Sequence, residues 1–147
     1  IWELADPVAS PAYTAGLEGR PNEIKLKYLA DDNAKRKAVA HYYYEHINNS
    51  LVILPKRLPH IENVYHLFPI LCEHRDALQQ YLAEKGIGTV IHYPIPPHKQ
   101  ECYKYWNDLS LPVTERLAKE ELSLPMSPCL NLNEVKYVID TINSWTL

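Results

Sequence analysis

The sequence is poor in glycine, in cysteine and in long apolar runs, and each shortage excludes a class of protein. Only four glycines occur in 147 residues, so a glycine-rich loop that cradles phosphate is not expected. The three cysteines lie far apart with no Cys-x-x-Cys pair, which argues against a zinc site or a disulfide framework and favours a reducing cytoplasm. No apolar run approaches the roughly 18 residues that cross a bilayer. A membrane is therefore not an expected partner.

The net charge and the first ten residues argue against two further features, a nucleic-acid partner and a signal peptide. The formal net charge is -3 and no basic stripe is present, so nucleic acid is not an expected partner either. The opening IWELADPVAS has neither a basic region nor a long apolar core and does not fit a signal peptide. The only methionine is Met126, which suggests a processed product, a fragment or an incomplete record of a longer chain. We expect residues 1–21 to form an irregular arm.

From residue 22 onward the pattern predicts helices that alternate with short strands. Neither glycine nor proline interrupts residues 22–48, which indicates one long helix. Asn131 followed by Glu134 resembles a capping box and predicts the start of a last helix. The other predicted elements are strands at 51–54, 63–71 and 88–91, helices at 73–86 and 113–122, a short helical stretch at 99–106, and an extended piece at 122–128. We expect an α+β fold in which helices cover one face of a small, mostly antiparallel sheet.

Common catalytic and metal-binding motifs are missing. The seven histidines include no His-Glu-x-x-His pattern, and His41 and His46 are five residues apart, so they point to different faces of a helix. No Gly-x-Ser-x-Gly nucleophile motif is present. The run AHYYYEHI at 40–47 could stack bases, but the negative charge favours packing in a core or an interface. We predict neither a metal site nor a catalytic residue in this chain.

The segment IHYPIPPHKQ at 91–100 is the strongest candidate for function. Its three prolines fix backbone angles and remove hydrogen-bond donors. One interpretation is a stiff connection between a strand and a helix. The other is a rigid platform that holds His92, Tyr93 and His98 toward a ligand, since imidazole and phenol groups bind sugar hydroxyls or phosphate oxygens. The residues alone leave both interpretations open.

Several motifs in a fixed order carry a family resemblance. VYHLFPIL is followed by EHRDALQQYLAEKGIGTVIHYPIPPHKQ and then by LPVTERLAKEELSLPMSPCLNLNEVKYVIDTIN, and KLKYLADDNAKR precedes them. In this order and spacing they resemble the C-terminal domain of the DegT/StrS family, the pyridoxal-phosphate-dependent nucleotide-sugar aminotransferases of fold type I. The resemblance covers residues 22–147. HYPIPPHKQ looks most similar to the branch that aminates dTDP-linked 3-keto-6-deoxy sugars for lipopolysaccharide or surface-layer glycans.

The resemblance implies a chemistry and a small set of site residues. In the family a lysine holds pyridoxal phosphate, glutamate donates the amino group, and a cytoplasmic homodimer aminates a nucleotide-linked keto sugar. The cofactor-holding residues belong to the larger N-terminal domain and match nothing here, so we expect no cofactor on this chain alone. The family's loop near the cleft matches His92, Tyr93 and His98, which become candidates for substrate binding. The aromatic strand (Tyr65, His66, Phe68) and the Ser127-Pro128 turn match regions whose expected role is packing.

Three functions remain as hypotheses. The first is a C-terminal domain or truncated form of such an aminotransferase, inactive alone. The second is a non-enzymatic module that retained the fold and binds a partner. The third is a stand-alone sugar-nucleotide enzyme, such as an isomerase, with His92 or His98 as general base. Spacing reveals no carboxylate partner for either histidine, which argues against the third hypothesis.

Overall fold

The computed structural model describes residues 20–57 and 61–147, with side chains described from Lys25 onward. The first helix of this described part, α1, is long and spans Arg20–His46. It includes the last two residues of the predicted arm, and the rest of that arm lies outside the described residues. No described helix is long and apolar enough to span a membrane.

A two-stranded antiparallel sheet lies at the centre. Strand β1 is Phe68–Leu71 and strand β2 is Glu121–Leu124, in a register that pairs Phe68 with Leu124 and Leu71 with Glu121. The predicted strands at 51–54 and 88–91 are reduced to single bridges, from Ile53 to Leu71 and from Val90 to Ser123. The predicted strand at 63–71 is extended only in its second half.

Proline and backbone geometry explain why the strands are so short. Pro55 has no N–H to continue the ladder that Ile53 begins. Tyr65 has a φ of 51°, a left-handed conformation that is incompatible with an extended strand. The backbone N–H of Leu71 donates to Ile53 and therefore faces away from β2. Backbone nitrogens two residues apart in a strand face the same side, so the nitrogen of Pro69 also faces away from β2. Pro69 therefore removes no hydrogen bond from the β1–β2 ladder.

Within the described residues, three further helices follow: α2 (Arg75–Glu84), α3 (Pro112–Glu120) and α4 (Leu132–Ser144). Two short 3₁₀ turns, Pro97–Lys99 and Glu101–Trp106, lie between α2 and α3. Helix α2 ends in a Schellman motif, because Gly86 has a φ of 75° and its N–H and that of Ile87 bond the carbonyls of Ala83 and Leu82. The capping box of α4 is confirmed. The Asn131 side chain accepts from the backbone N–H of Asn133 and Glu134, and the Glu134 carboxylate accepts from that of Asn131.

Helices α1, α2 and α4 pack against the sheet and form the core. Tyr43 of α1 is fully buried beside Phe68, with the ring centroids 5.0 Å apart. The other largest buried core side chains are Ile70, Leu78, Leu82, Leu122, Val135 and Ile142. Helices packed on a small antiparallel sheet confirm the predicted α+β fold.

One predicted boundary is wrong, and the correction matters for the site. Residues 121 and 122 were expected at the end of a helix, but α3 ends at Glu120 and Glu121 is extended, with ψ of 136°. Along β2, Leu122 and Leu124 join the core, while Glu121 and Ser123 alternate with them and are buried as polar residues. A strand alternates its faces, so β2 places two polar side chains on the face opposite the core leucines.

Candidate functional site

The proline-rich segment forms one wall of a small cavity. It follows the bridge of Val90 to β2, and Pro97 begins the first 3₁₀ turn. The cavity has a volume of about 190 Å³, and α3 forms its opposite wall. Its lining residues are His92, Tyr93, Ile95, Pro96, Pro97, Gln100, Thr114, Leu117 and Ala118. Two of the three predicted site residues therefore share one cavity.

His92 is half-buried and is held on two sides by β2. Its backbone N–H donates to Glu121 Oε2 at 2.6 Å, and its ring Nδ1 lies 2.9 Å from Ser123 Oγ. Ser123 Oγ in turn donates to Glu121 Oε1 at 2.6 Å. The loop and the strand thus form a closed hydrogen-bond network in which Glu121 receives two donors.

Tyr93 is highly exposed at the cavity, with 73% of its surface accessible. Its ring lies edge-on to that of His92, with the centroids 5.6 Å apart, and the peptide bond between the two residues is cis. A phenol in this position can both donate to and accept from a hydroxyl-bearing ligand. Tyr93 and His92 together present one phenol and one imidazole to the cavity.

His98 lies in a different environment. It is 2% exposed and is not among the residues that line the cavity. Its Nε2 lies 3.0 Å from Glu115 Oε1, and the same oxygen accepts from the backbone N–H of Leu111. The Leu111 N–H, and after it the His98 ring, lower the pKa of the Glu115 carboxyl. His98 therefore anchors the first 3₁₀ turn to α3, and its burial gives no support to its prediction as a ligand contact.

Both His92 and His98 have carboxylate neighbours that are distant in the sequence, so local spacing does not reveal them. Glu121 and Glu115 are separated from their histidines by 29 and 17 residues respectively. The alternation of polar and leucine residues in Glu-Leu-Ser-Leu at 121–124 is a signal for a strand, and it could have placed Glu121 and Ser123 on one face. No comparable pattern marks Glu115.

The other motif residues have packing roles or none that the contacts reveal. Phe68 is fully buried and packs edge-on against Tyr44, while half-buried Tyr65 packs against both rings. His66 is exposed. Ser127 accepts the backbone N–H of Cys129 and closes a turn. Within residues 20–57 and 61–147, no three metal-ligating side chains cluster.

The cavity does not fit pyridoxal phosphate on its own. The cofactor needs a lysine for its aldehyde, and it carries a phosphate whose charge must be met. The lining of the cavity contains neither lysine nor arginine. This cavity therefore offers a ligand polar side chains such as those of His92 and Tyr93, but no group that would hold the cofactor.

Comparison with known proteins identifies relatives of the chain. It is 46% identical over 122 residues to the dTDP-3-amino-3,6-dideoxy-α-D-galactopyranose transaminase of Aneurinibacillus thermoaerophilus, a match that covers 83% of this chain and 34% of that protein. It is 36% identical over 125 residues to the dTDP-3-amino-3,4,6-trideoxy-α-D-glucose transaminase of Streptomyces venezuelae, covering 83% and 33%. The chain therefore spans about a third of the length of these relatives.

Solved structures give the same relationship. The crystal structure of S. venezuelae DesV in complex with a ketimine intermediate superposes with a TM-score of 0.79 at 35% identity, covering 84% of this chain and 34% of that one. NtdA from Bacillus subtilis with bound cofactor PMP gives 0.71 at 31% identity, covering 79% and 28%. The model of the DegT/DnrJ/EryC1/StrS aminotransferase family matches residues 22–143, and the chain belongs to this family.

Proposed function

We propose that residues 22–147 are the C-terminal domain of a sugar aminotransferase that transfers an amino group from glutamate to a nucleotide-linked keto-deoxy sugar. The observation that carries the proposal is the 46% identity to a dTDP-amino-sugar transaminase over 122 residues. Pyridoxal phosphate would supply the electron sink, held by residues outside this chain. The 147 residues alone would then not catalyse.

The role we propose for this domain is to form one wall of the sugar-nucleotide site. The cavity is lined by the half-buried imidazole of His92 and the exposed phenol of Tyr93, and both residues belong to the HYPIPPHKQ segment, as does Gln100, which also lines it. The proline-rich backbone fixes the two rings before the ligand arrives, which lowers the entropy cost of binding. His98 would act indirectly, by anchoring this segment to α3 through Glu115.

The wider setting is part of the same proposal. The complete protein would be a cytoplasmic homodimer that makes an amino sugar for a surface polysaccharide. The free state of Cys72, Cys102 and Cys129 suits a reducing compartment. The many exposed apolar side chains of this chain suit contact with further protein, among them Tyr105, Trp106, Leu109 and Val113.

A graft tests the proposal directly. Residues 22–143 of this chain would replace the matching segment of the A. thermoaerophilus transaminase, and glutamate-dependent amination of a dTDP-linked 3-keto-6-deoxyhexose would be followed by mass spectrometry. We expect the hybrid to aminate this substrate. Within the hybrid, Tyr93→Ala should raise KM for the nucleotide sugar, whereas Tyr28→Ala should not. Both tyrosines are exposed, at 73% and 58%, but Tyr28 does not line the cavity.

The isolated 147-residue chain provides the complementary test. It would be titrated with pyridoxal phosphate, reduced with borohydride, and mapped for a labelled lysine. We expect no stoichiometric label on a single lysine. One uniquely labelled lysine would contradict our placement of the cofactor outside this chain. A folded hybrid without amination would instead favour the non-enzymatic module.

A further inference from the structure

In the hydrogen-bond network of Glu121, Ser123 and His92, the donor and the acceptor of each bond can be assigned. Glu121 receives one donor on each carboxylate oxygen, the backbone N–H of His92 on Oε2 and the Ser123 hydroxyl on Oε1, both at 2.6 Å. A carboxylate is acceptor-only, and this arrangement uses both of its oxygens as acceptors. The single hydroxyl proton of Ser123 is therefore donated to Glu121.

The hydrogen bond from Ser123 to Glu121 determines which ring nitrogen of His92 carries a proton. Ser123 Oγ has given its only proton away, so toward Nδ1, 2.9 Å distant, it can act only as an acceptor. Nδ1 must then carry hydrogen. In the neutral ring this leaves Nε2 without hydrogen and with a free lone pair.

The Nε2 atom is open to a ligand. No hydrogen bond from any described residue reaches it, and the one buried side-chain nitrogen or oxygen without a partner in this part of the chain is Nδ1 of His98. Nε2 of His92 is therefore accessible rather than buried and unsatisfied. Because His92 lines the cavity, its lone pair is available to a donor there.

The partners of the ring are held rigidly. Ser123 exchanges two backbone hydrogen bonds with Val90, at 2.8 and 3.3 Å, immediately before the proline-rich segment begins. The buried guanidinium of Arg75 donates to the backbone carbonyls of Ala118 and Glu121, at 3.3 and 3.2 Å, where α3 gives way to β2. The strand that carries Glu121 and Ser123 is thus fixed at both ends.

We propose that Glu121 and Ser123 are positioning residues that hold His92 in the Nδ1–H tautomer, so that Nε2 presents a hydrogen-bond acceptor to a hydroxyl group in the cavity. Identifying that hydroxyl as one of a nucleotide sugar rests on the proposed function. The tautomer itself does not, since the network is complete in the chain alone.

The test is the tautomer of each histidine in the intact 147-residue chain, with ¹⁵N-labelled histidine and long-range ¹H–¹⁵N correlation spectra. Spectra would be recorded over a series of pH values, and each tautomer would be assigned where the ¹⁵N shifts of that ring no longer change with pH on the alkaline side. The His92 signals are assigned by their loss in His92→Gln. We expect Nδ1–H to exceed Nε2–H by about tenfold, the value of one well-formed hydrogen bond.

Two histidines of the same chain provide internal controls. His46 Nδ1 lies 3.0 Å from the Tyr42 carbonyl, which can only accept, so His46 should also be Nδ1–H. His98 Nε2 faces the Glu115 carboxylate, so His98 should show the opposite tautomer. Neither should change when the His92 network is altered.

Variants of Ser123 and Glu121 distinguish an effect on the His92 tautomer from a general loss of stability. Ser123→Ala should lower the Nδ1–H preference of His92 by about tenfold and leave His46 and His98 unchanged, while Ser123→Thr keeps the hydroxyl and should restore the preference. Glu121→Gln should lower it as well, because an amide offers only one acceptor to two donors. Wild-type His92 in the Nε2–H form, or a preference that survives Ser123→Ala, would overturn the proposal.

This experiment tests the positioning role of Glu121 and Ser123 separately from the proposed function. It requires no substrate or cofactor, and the amination assay of the hybrid is separate. An inactive hybrid with His92 in the Nδ1–H form refutes the proposed function alone. An active hybrid with His92 in the Nε2–H form refutes only the positioning role of Glu121 and Ser123.

Discussion

The Tyr43 hydroxyl allows the sharpest test of how the core is held together. Tyr43 is fully buried in α1, and its hydroxyl donates to the carbonyl of Pro125 at 2.8 Å. Tyr43→Phe keeps the ring against Phe68 but leaves that carbonyl without its donor. The net loss of one hydrogen bond with a partly buried partner is about 1–2 kcal/mol in the free energy of unfolding at neutral pH.

The same hydroxyl predicts how this difference depends on pH. Burial raises the pKa of the Tyr43 phenol, while in the unfolded chain it is ~10. Above pH ~10 the unfolded chain releases a proton that the folded chain retains, so the stability of the wild type falls by up to ~1.4 kcal/mol per pH unit. Phenylalanine has no such proton. The wild type and Tyr43→Phe should therefore reach equal stability near pH ~11.

Urea unfolding at several pH values between neutral and ~11 would measure this difference, with the fluorescence of buried Trp145 as a probe. Other groups titrate in both proteins and cancel. Tyr28→Phe is the control, because Tyr28 is 58% exposed, and it should leave the free energy unchanged at every pH. A stability difference for Tyr43→Phe that stays constant up to pH ~11 would refute the argument from burial.

Two further predictions concern the cap of α4 and the support of the loop. Asn131→Ala removes the acceptor for two backbone N–H groups and should cost about 1 kcal/mol, or about 3–5 °C in Tm by calorimetry, whereas Asn131→Asp should not. Glu115→Gln should lower stability at neutral pH, because the lowered pKa of Glu115, due first to the Leu111 N–H and then to His98, favours the folded state above the unfolded value of ~4.3. This contribution is lost as pH falls through the folded pKa. A difference between wild type and Glu115→Gln that persists in acid unfolding well below pH ~4 would contradict this account.

Helices with strong local signals were predictable from the sequence. The uninterrupted run of residues 22–48 corresponds to α1, and the capping box at Asn131 marks the start of α4. The strands were harder, because a strand ends where its hydrogen-bond partner ends. Residues 51–54 and 88–91 have strand-like composition, yet each contributes a single bridge. Proline and a left-handed Tyr65, whose φ the sequence does not specify, limit the ladder.

The candidate site was predictable only in part. The motif HYPIPPHKQ indicated His92 and Tyr93, which share a cavity. It also indicated His98, which is buried. A motif marks residues that act together, but burial depends on what packs against them. Glu115 on α3 bonds the His98 ring but lies outside the proline-rich motif, so the local sequence around His98 could not distinguish a ligand contact from an anchor.

The proline-rich segment explains why its supporting residues had to come from elsewhere in the chain. Prolines at 94, 96 and 97 supply no N–H, so the segment forms few hydrogen bonds within itself and must be anchored from outside. Strand β2 provides that anchor with one face, through Glu121 and Ser123, while its other face places Leu122 in the core. Side chains alternate along a strand, so one set of β2 residues packs in the core and the other set bonds the loop. The packed core thereby holds the loop in place, although no single residue does both. Changes at Leu122 should therefore act on stability, and changes at Ser123 on the ring of His92.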